Sequence, residues 1–354
     1  MQTLKNDIKI ITQTAAVFIG TIVGAGLASG QEITQFFTVY GMKSFFGLAL
    51  CLVIYIVLGT IIIKLSIKHN LHSYKELISL VSPGALGTTI NIITSFFMIS
   101  SAAIILAGSG ALLNQYFRIP KLIGSILMII FTLIVLLRNT EGLIEVNSII
   151  VPCLITVITM IFVLYIIFSK DVSYINTLNS VKIQKSNWLF SSFLYSGFNI
   201  LCCSGVLVPL SVENKNTTAK NLILGTALGA IFLIIISSMI NFMLMLNIPY
   251  IFKYEIPLLY ISSRFGKIIE LILLCIIWCE MFSTEISDIY SIAKTIQHSS
   301  LKMNYTQSII VIIIIALPIS WLGFTNLISF LYPAFGLISL IFMVQCIYFY
   351  VRHK

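Results

Sequence analysis

The stretch Phe18-Ile-Gly-Thr-Ile-Val-Gly-Ala-Gly-Leu-Ala-Ser-Gly-Gln-Glu-Ile33 decides how the chain is read. It lies inside an apolar run, 8–39, long enough to cross a bilayer, whose roughly 30 Å hydrocarbon core needs about 20 residues of helix. Gly20, Gly24, Gly26 and Gly30 fall within eleven residues, beside Thr21 and Ser29. Each glycine costs about 1 kcal/mol in a helix interior relative to alanine. Four together weaken the helix at mid-membrane, and unwound backbone survives there only where it is buried in protein or lines a wet cavity. The same spacing also reads as a small-residue packing face.

The rest of the composition agrees with a lipid environment. Of 354 residues, 58% are hydrophobic and only 9% charged, against roughly 25% charged in a soluble domain. Such a chain cannot cover itself with a water-facing surface, which excludes a soluble enzyme, a disordered protein and a secreted disulfide scaffold. The net charge of +9 is scattered singly between apolar stretches. It reads as loop Lys/Arg facing anionic lipid, with no nucleic-acid partner. The seven cysteines all lie in apolar stretches without zinc-site spacing and read as packing residues.

Ten apolar stretches follow one another: 8–39, 44–66, 87–116, 120–138, 143–168, 188–211, 217–247, 266–295, 306–322 and 325–351. The expectation is an all-α integral membrane protein of about ten transmembrane helices in one membrane domain, 1–354. Its first stretch is too long for a cleaved signal peptide. Two weaker segments, 70–81 and 255–265, are amphipathic and are expected along the membrane surface. With an even number of spans both termini share a side. Twelve of the 21 Lys/Arg fall on it, which places the termini in the cytoplasm. The polar connection near 170–187 divides the spans into 8–168 and 188–351. Two sets of five have opposite orientations, the geometry of an inverted repeat.

The sixth stretch begins the second repeat and is the counterpart of the first. It reads Leu194-Tyr-Ser-Gly-Phe-Asn-Ile-Leu-Cys-Cys-Ser-Gly205, with Pro209 following. Interrupted apolar segments at matching places in two halves mark a transporter binding site. Helices one and six are therefore both expected to be discontinuous.

In length, span plan and the two interruptions the chain resembles the amino acid–polyamine–organocation superfamily, with the leucine-transporter type of 5+5 fold. Gly20 to Ile33 with Phe36-Phe37 resembles more closely the first span of the YkvI-type bacterial membrane proteins. The resemblance implies a bacterial cell membrane and a solute held between spans one and six by Gly24, Ala25, Gly26, Ser196, Gly197, Phe198 and Asn199. It also implies a sodium site from the carbonyls of Gly20 and Val23 with the hydroxyls of Ser283 and Thr284. Leu27 stands where relatives with two sodium sites carry an asparagine, and span three lacks a mid-span tyrosine, offering Asn91, Ser95, Ser100 and Ser101. Two-sodium coupling is not expected.

Charge inside hydrocarbon is costly and marks function by default. Glu32 follows the glycine-rich stretch and reads either as a partner for a substrate ammonium or coupling proton, or as a gate. Span eight carries Glu280, Glu285 and Asp288. Glu285 reads as a cation or proton carrier, and Asp288 as part of a structural network or mouth. Asn241, Asn247 and Gln345 read as interhelical hydrogen-bonding groups, and His69 and His72 lack a third metal ligand. No GxSxG, HExxH, P-loop or kinase set is present, so no enzyme and no cofactor beyond a coupling Na⁺ or H⁺ is expected. The function expected is secondary active transport of a small organic solute, an amino acid or related amine. The alternative is a receptor or accessory subunit of the same shape, like the spore-germination permeases, that senses a small molecule without moving it.

Overall fold

The computed structural model describes residues 2–168, 187–213, 218–254, 256–297, 303–322 and 324–353. The polar connection between the expected halves lies outside them except for Asn187. Fourteen helices follow in chain order: α1 Gln2–Ile22, α2 Ala25–Ala28, α3 Gln31–Phe36, α4 Lys43–His69, α5 Tyr74–Val81, α6 Ala85–Phe117, α7 Lys121–Leu136, α8 Asn139–Phe168, α9 Trp188–Glu213, α10 Ala219–Met245, α11 Pro257–Ser263, α12 Lys267–Gln297, α13 Tyr305–Ser320 and α14 Phe324–Arg352. Each of the ten apolar stretches is occupied by helix. Among the described residues six helices, in α4, α6, α8, α9, α10 and the second part of α14, are long and apolar enough to cross a membrane, and α7 and α13 are shorter apolar helices.

The first stretch breaks as its glycines indicate. α1 ends at Ile22, Val23 and Gly24 are non-helical, and α2 lasts a single turn. Gly30 then turns the chain into α3 with φ of 83°, a left-handed conformation that side chains with a Cβ rarely adopt. Small residues also let α1 lie close to α10. A Cβ on Gly225 would stand 2.6 Å from the Thr14 Cβ, and one on Gly229 2.9 Å from the Ala15 carbonyl.

The sixth stretch does not break, which corrects the expectation. α9 runs as continuous helix from Trp188 to Glu213 through Ser196, Gly197 and Pro209. Its small and polar residues serve packing instead. Ser196 donates to the Ser192 carbonyl at 2.8 Å and Ser204 to the Leu201 carbonyl at 2.6 Å. Gly197 admits α14: a Cβ there would stand 2.8 Å from the Ser339 hydroxyl and 2.7 Å from the Met343 sulfur. In a membrane an intact helix is the default, because every freed backbone group needs a partner.

The two amphipathic segments form α5 and α11, but their apolar residues face neighbouring helices rather than lipid. Tyr74, Leu77, Ile78 and Val81 are buried. The Tyr74 hydroxyl meets Ser95 at 2.9 Å, and Asn91 donates to Ser79 at 3.2 Å. Two of span three's polar residues thus hold α5. Leu258 in α11 donates its amide to the Ser29 carbonyl at 2.9 Å, which fixes α11 on the α2–α3 turn. Asn241 joins Ser44 and Thr38, and Asn247 joins Tyr165 and Arg264, as interhelical bonds.

Candidate solute and cation site

Ending a helix at mid-protein frees its last carbonyls and presents the negative end of its dipole. At the end of α1 those carbonyls meet hydroxyls from α12. Thr284 Oγ1 donates to Val23 O at 3.0 Å and stands 3.4 Å from Gly20 O, while Ser283 Oγ stands 3.2 Å from Gly20 O. A fifth oxygen comes from α8, where Ser283 donates to Asn147 Oδ1 at 2.6 Å. Asn147 is fully buried, and its amide nitrogen is fixed on the Leu143 carbonyl at 2.8 Å. Gly20 is needed because a Cβ there would collide with Asn147 Oδ1 and reach 2.7 Å from Ser283 Oγ. Two carbonyls, two hydroxyls and one amide oxygen, from three helices, thus form one hydrogen-bonded cluster. All are neutral hard donors, the kind that binds a hard cation at a broken membrane helix.

A cavity of about 40 Å³ adjoins this cluster and shares Thr284 with it. Its walls come from the α1 break (Thr21, Ile22, Gly24, Gly26), α3 (Glu32), α6 (Ser101, Ile104, Ile105), α9 (Phe198, Asn199, Cys202) and α12 (Thr284, Asp288). Its volume suits a few waters or a very small solute. Glu32 is buried in the first turn of α3, with its carboxyl folded so closely over Gly26 that a Cβ on Gly26 would collide with it. Asn199 is anchored by donating to Tyr55 OH at 3.0 Å. Asp288 is 4% exposed, and its Oδ2 has no hydrogen-bond partner among the described residues. The Gly24 amide, expected to be open to a substrate carboxylate, donates to Ile22 O at 3.0 Å.

Gly24, Gly26, Glu32, Phe198, Asn199 and Thr284 therefore come together around the cavity, and Gly20, Val23 and Ser283 belong to the oxygen cluster beside them. Ala25 lies in α2. Ser196 and Gly197 are turned to α9's own backbone and to α14, away from the cavity. Glu285 is fully buried, lines no part of the cavity, and neither its carboxyl oxygens nor those of Glu280 have a hydrogen-bond partner among the described residues. Asn147, Asp288 and Cys202 are among the residues that sequence reasoning did not place in the site. A lone amide inside the apolar fifth stretch was the available signal for Asn147. Among the described residues no group of three His, Cys, Asp or Glu side chains could hold a metal ion.

Below the cavity, toward the N-terminus of α1, a wider vestibule of about 480 Å³ is lined by Gln13, Arg138, Thr140, Glu141, Glu145 and Glu213. Val17 and Leu210 are buried and line a smaller pocket that shares Gln13 and Ile144 with the vestibule. Beside the vestibule the nearly buried Lys294 pairs with Glu213. Its ammonium lies over the rings of Tyr290 and Tyr305, 5.5 and 5.2 Å from their centroids. Tyr290 OH donates to Glu213 at 3.3 Å and meets Thr140 at 2.9 Å. This network ties together the ends of α8, α9, α12 and α13.

No protein-family model matches the chain. The Bacillus subtilis (strain 168) membrane protein YkvI is 32% identical to it over 332 residues, 94% of each chain. The chain belongs to the YkvI family. YyaD, from the same organism, is 27% identical over 335 residues, 94% of this chain and 95% of YyaD. This YkvI-family chain also matches solved transporters of the leucine-transporter fold. A Na⁺-coupled sialic acid symporter in a substrate-bound outward-open state has a TM-score of 0.68 at 16% identity, covering 92% of this chain and 75% of the symporter. MhsT in complex with L-phenylalanine has a TM-score of 0.63 at 14% identity, covering 90% and 79%. At these identities the likeness shows the fold, and the site has to be argued from this chain's own residues.

Proposed function

We propose that this YkvI-family protein is a secondary active transporter that couples a cation to a small organic solute, an amino acid or related amine, by alternating access. The reading places it as one membrane domain of two inverted five-helix repeats, 8–168 and 188–351, in the bacterial cell membrane with both termini cytoplasmic, within the amino acid–polyamine–organocation superfamily. The observation that carries it is the adjacency at the α1 break. Five oxygens of Gly20, Val23, Asn147, Ser283 and Thr284 lie next to a cavity that shares Thr284. A cation among them would draw α12 and α8 onto the end of α1 and so shape the cavity wall. That is differential binding to one conformation, which coupling requires. The Na⁺-coupled symporter of like fold supports sodium as the ion.

The test is thermal unfolding of purified protein in NaCl against choline chloride. Sodium raises Tm, since at 100-fold its Kd a ligand adds about 2.7 kcal/mol, and Ser283→Ala with Thr284→Ala removes the shift. Reconstituted protein then accumulates solute under an imposed Na⁺ gradient. Sodium without effect on the unmutated protein would reject the sodium site and move coupling to a proton on Glu32 or Glu285. A bound solute with no flux under either gradient would favour the receptor alternative.

A further inference from the structure

We infer that the solute taken by the cavity is a small organic ammonium without a carboxylate, held by Asp288 and Glu32. This rests on reading the cavity as the solute site. Three observations carry it. The cavity walls bear two carboxyl side chains and no Lys, Arg or His, so an anionic group inside meets no cationic partner, whereas an ammonium meets two. Asp288 has one carboxyl oxygen without a hydrogen-bond partner among the described residues, in a side chain 4% exposed that lines the cavity beside Ser101. A buried carboxylate oxygen in that position calls for a donor, and the three N–H groups of a primary ammonium supply one. One of the amides expected to meet a carboxylate, that of Gly24, is given to Ile22 instead.

The approach carries a small charge of the same sign: of the vestibule's three glutamates, Glu145 is paired with Arg138 and Glu213 with Lys294, which leaves the one carboxylate of Glu141 to attract a cation. A zwitterion would also bring its own carboxylate up against these two acidic side chains with no cationic side chain in the cavity wall to meet it.

The experiment compares three related probes in fixed NaCl: alanine, ethylammonium, which lacks its carboxylate, and propionate, which lacks its ammonium. Binding is read as Tm shift and as competition for labelling of Cys202, which lines the same cavity. Ethylammonium binds at least about tenfold more tightly than alanine, and propionate does not bind. Asp288→Asn and Glu32→Gln each weaken ethylammonium at least about tenfold while keeping the sodium-dependent Tm shift, which shows the fold intact. Should Asp288→Asn not fold, Asp288→Glu, with charge kept and position changed, is read beside Glu32→Gln. Alanine or propionate binding as tightly as ethylammonium, ethylammonium failing to bind, MnCl₂ protecting Cys202 where ethylammonium does not, or both neutral variants binding unchanged would each overturn the inference. Because these are equilibrium measurements, absence of flux would remove the transport reading and leave the charge preference standing.

Discussion

The glycines of the α1 break are not equivalent, and their surroundings say which will tolerate a methyl group. At Gly20 a Cβ collides with the Asn147 amide and presses on Ser283, both within the oxygen cluster. At Gly24 the nearest atom is a Thr284 methyl at 3.6 Å, an ordinary contact, and the backbone there is not left-handed. Gly20→Ala is therefore expected to destabilise by about 1–3 kcal/mol through overpacking and to abolish the sodium-dependent Tm shift. Gly24→Ala should stay within about 0.5 kcal/mol of the parent and keep the sodium shift. Melting both variants with and without sodium checks the pair, and equal effects would mean the cluster is not built as described. Asn147 is separable from packing in the same way. Asn147→Leu keeps the branched shape, at larger volume, but lacks the oxygen facing Ser283, and should weaken sodium at least about tenfold, measured by titrating Tm against sodium concentration.

At the level of helices, α1 and α9 carry the same kind of sequence and fold differently, which separates what was legible from what was not. A cluster of Gly and Ser states that a helix is weak or that it packs closely, and nothing local distinguishes the two. In α1 the freed carbonyls find Ser283 and Thr284, more than 260 residues away, so breaking is compensated. In α9 the space above Gly197 is taken by Ser339 and Met343 of α14, so the small residue is used for approach. Both outcomes are decided by the partner opposite, and that is set by tertiary packing. Gly197→Ala should accordingly lower stability by about 1–3 kcal/mol, and Ser339→Ala, which clears the nearer rigid contact, should recover most of it. A double-mutant cycle on Tm measures the coupling. Gly197→Ala without loss of stability would show that α9 is not held against α14 at this point.

For the whole molecule, hydropathy made the apolar helices legible, because a membrane-spanning helix needs a long apolar run, and among the described residues six helices are long and apolar enough to span. The contents of the cavity were only partly readable, because Asp288, Cys202 and Ser101 reach it from α12, α9 and α6 through helix rotation that hydropathy does not encode. On the alternating-access reading proposed above, the same assembly sets which face opens. Val17 and Leu210 lie buried beside the 480 Å³ vestibule, and the helix ends around it are fastened by the Lys294–Glu213 pair with Thr140 and Tyr290. Lys294 is 4% exposed, so removing its partner leaves a nearly buried ammonium unmatched. That penalty falls on the closed arrangement, while an opened one lets water reach the charge. Glu213→Gln should therefore shift the population toward a form open on the N-terminal face, a tenfold shift corresponding to about 1.4 kcal/mol. In a background whose other six cysteines are replaced, this reads as about tenfold faster modification of Cys202 by a membrane-impermeant thiol reagent applied to that face of oriented vesicles. Arg138→Gln is the control. Its pair with Glu145 borders the same vestibule, but both side chains are more than half exposed, and exposed pairs hold little, so Cys202 should react at the parent rate. Equal rates in all three proteins would mean that the Lys294–Glu213 network does not hold this face shut.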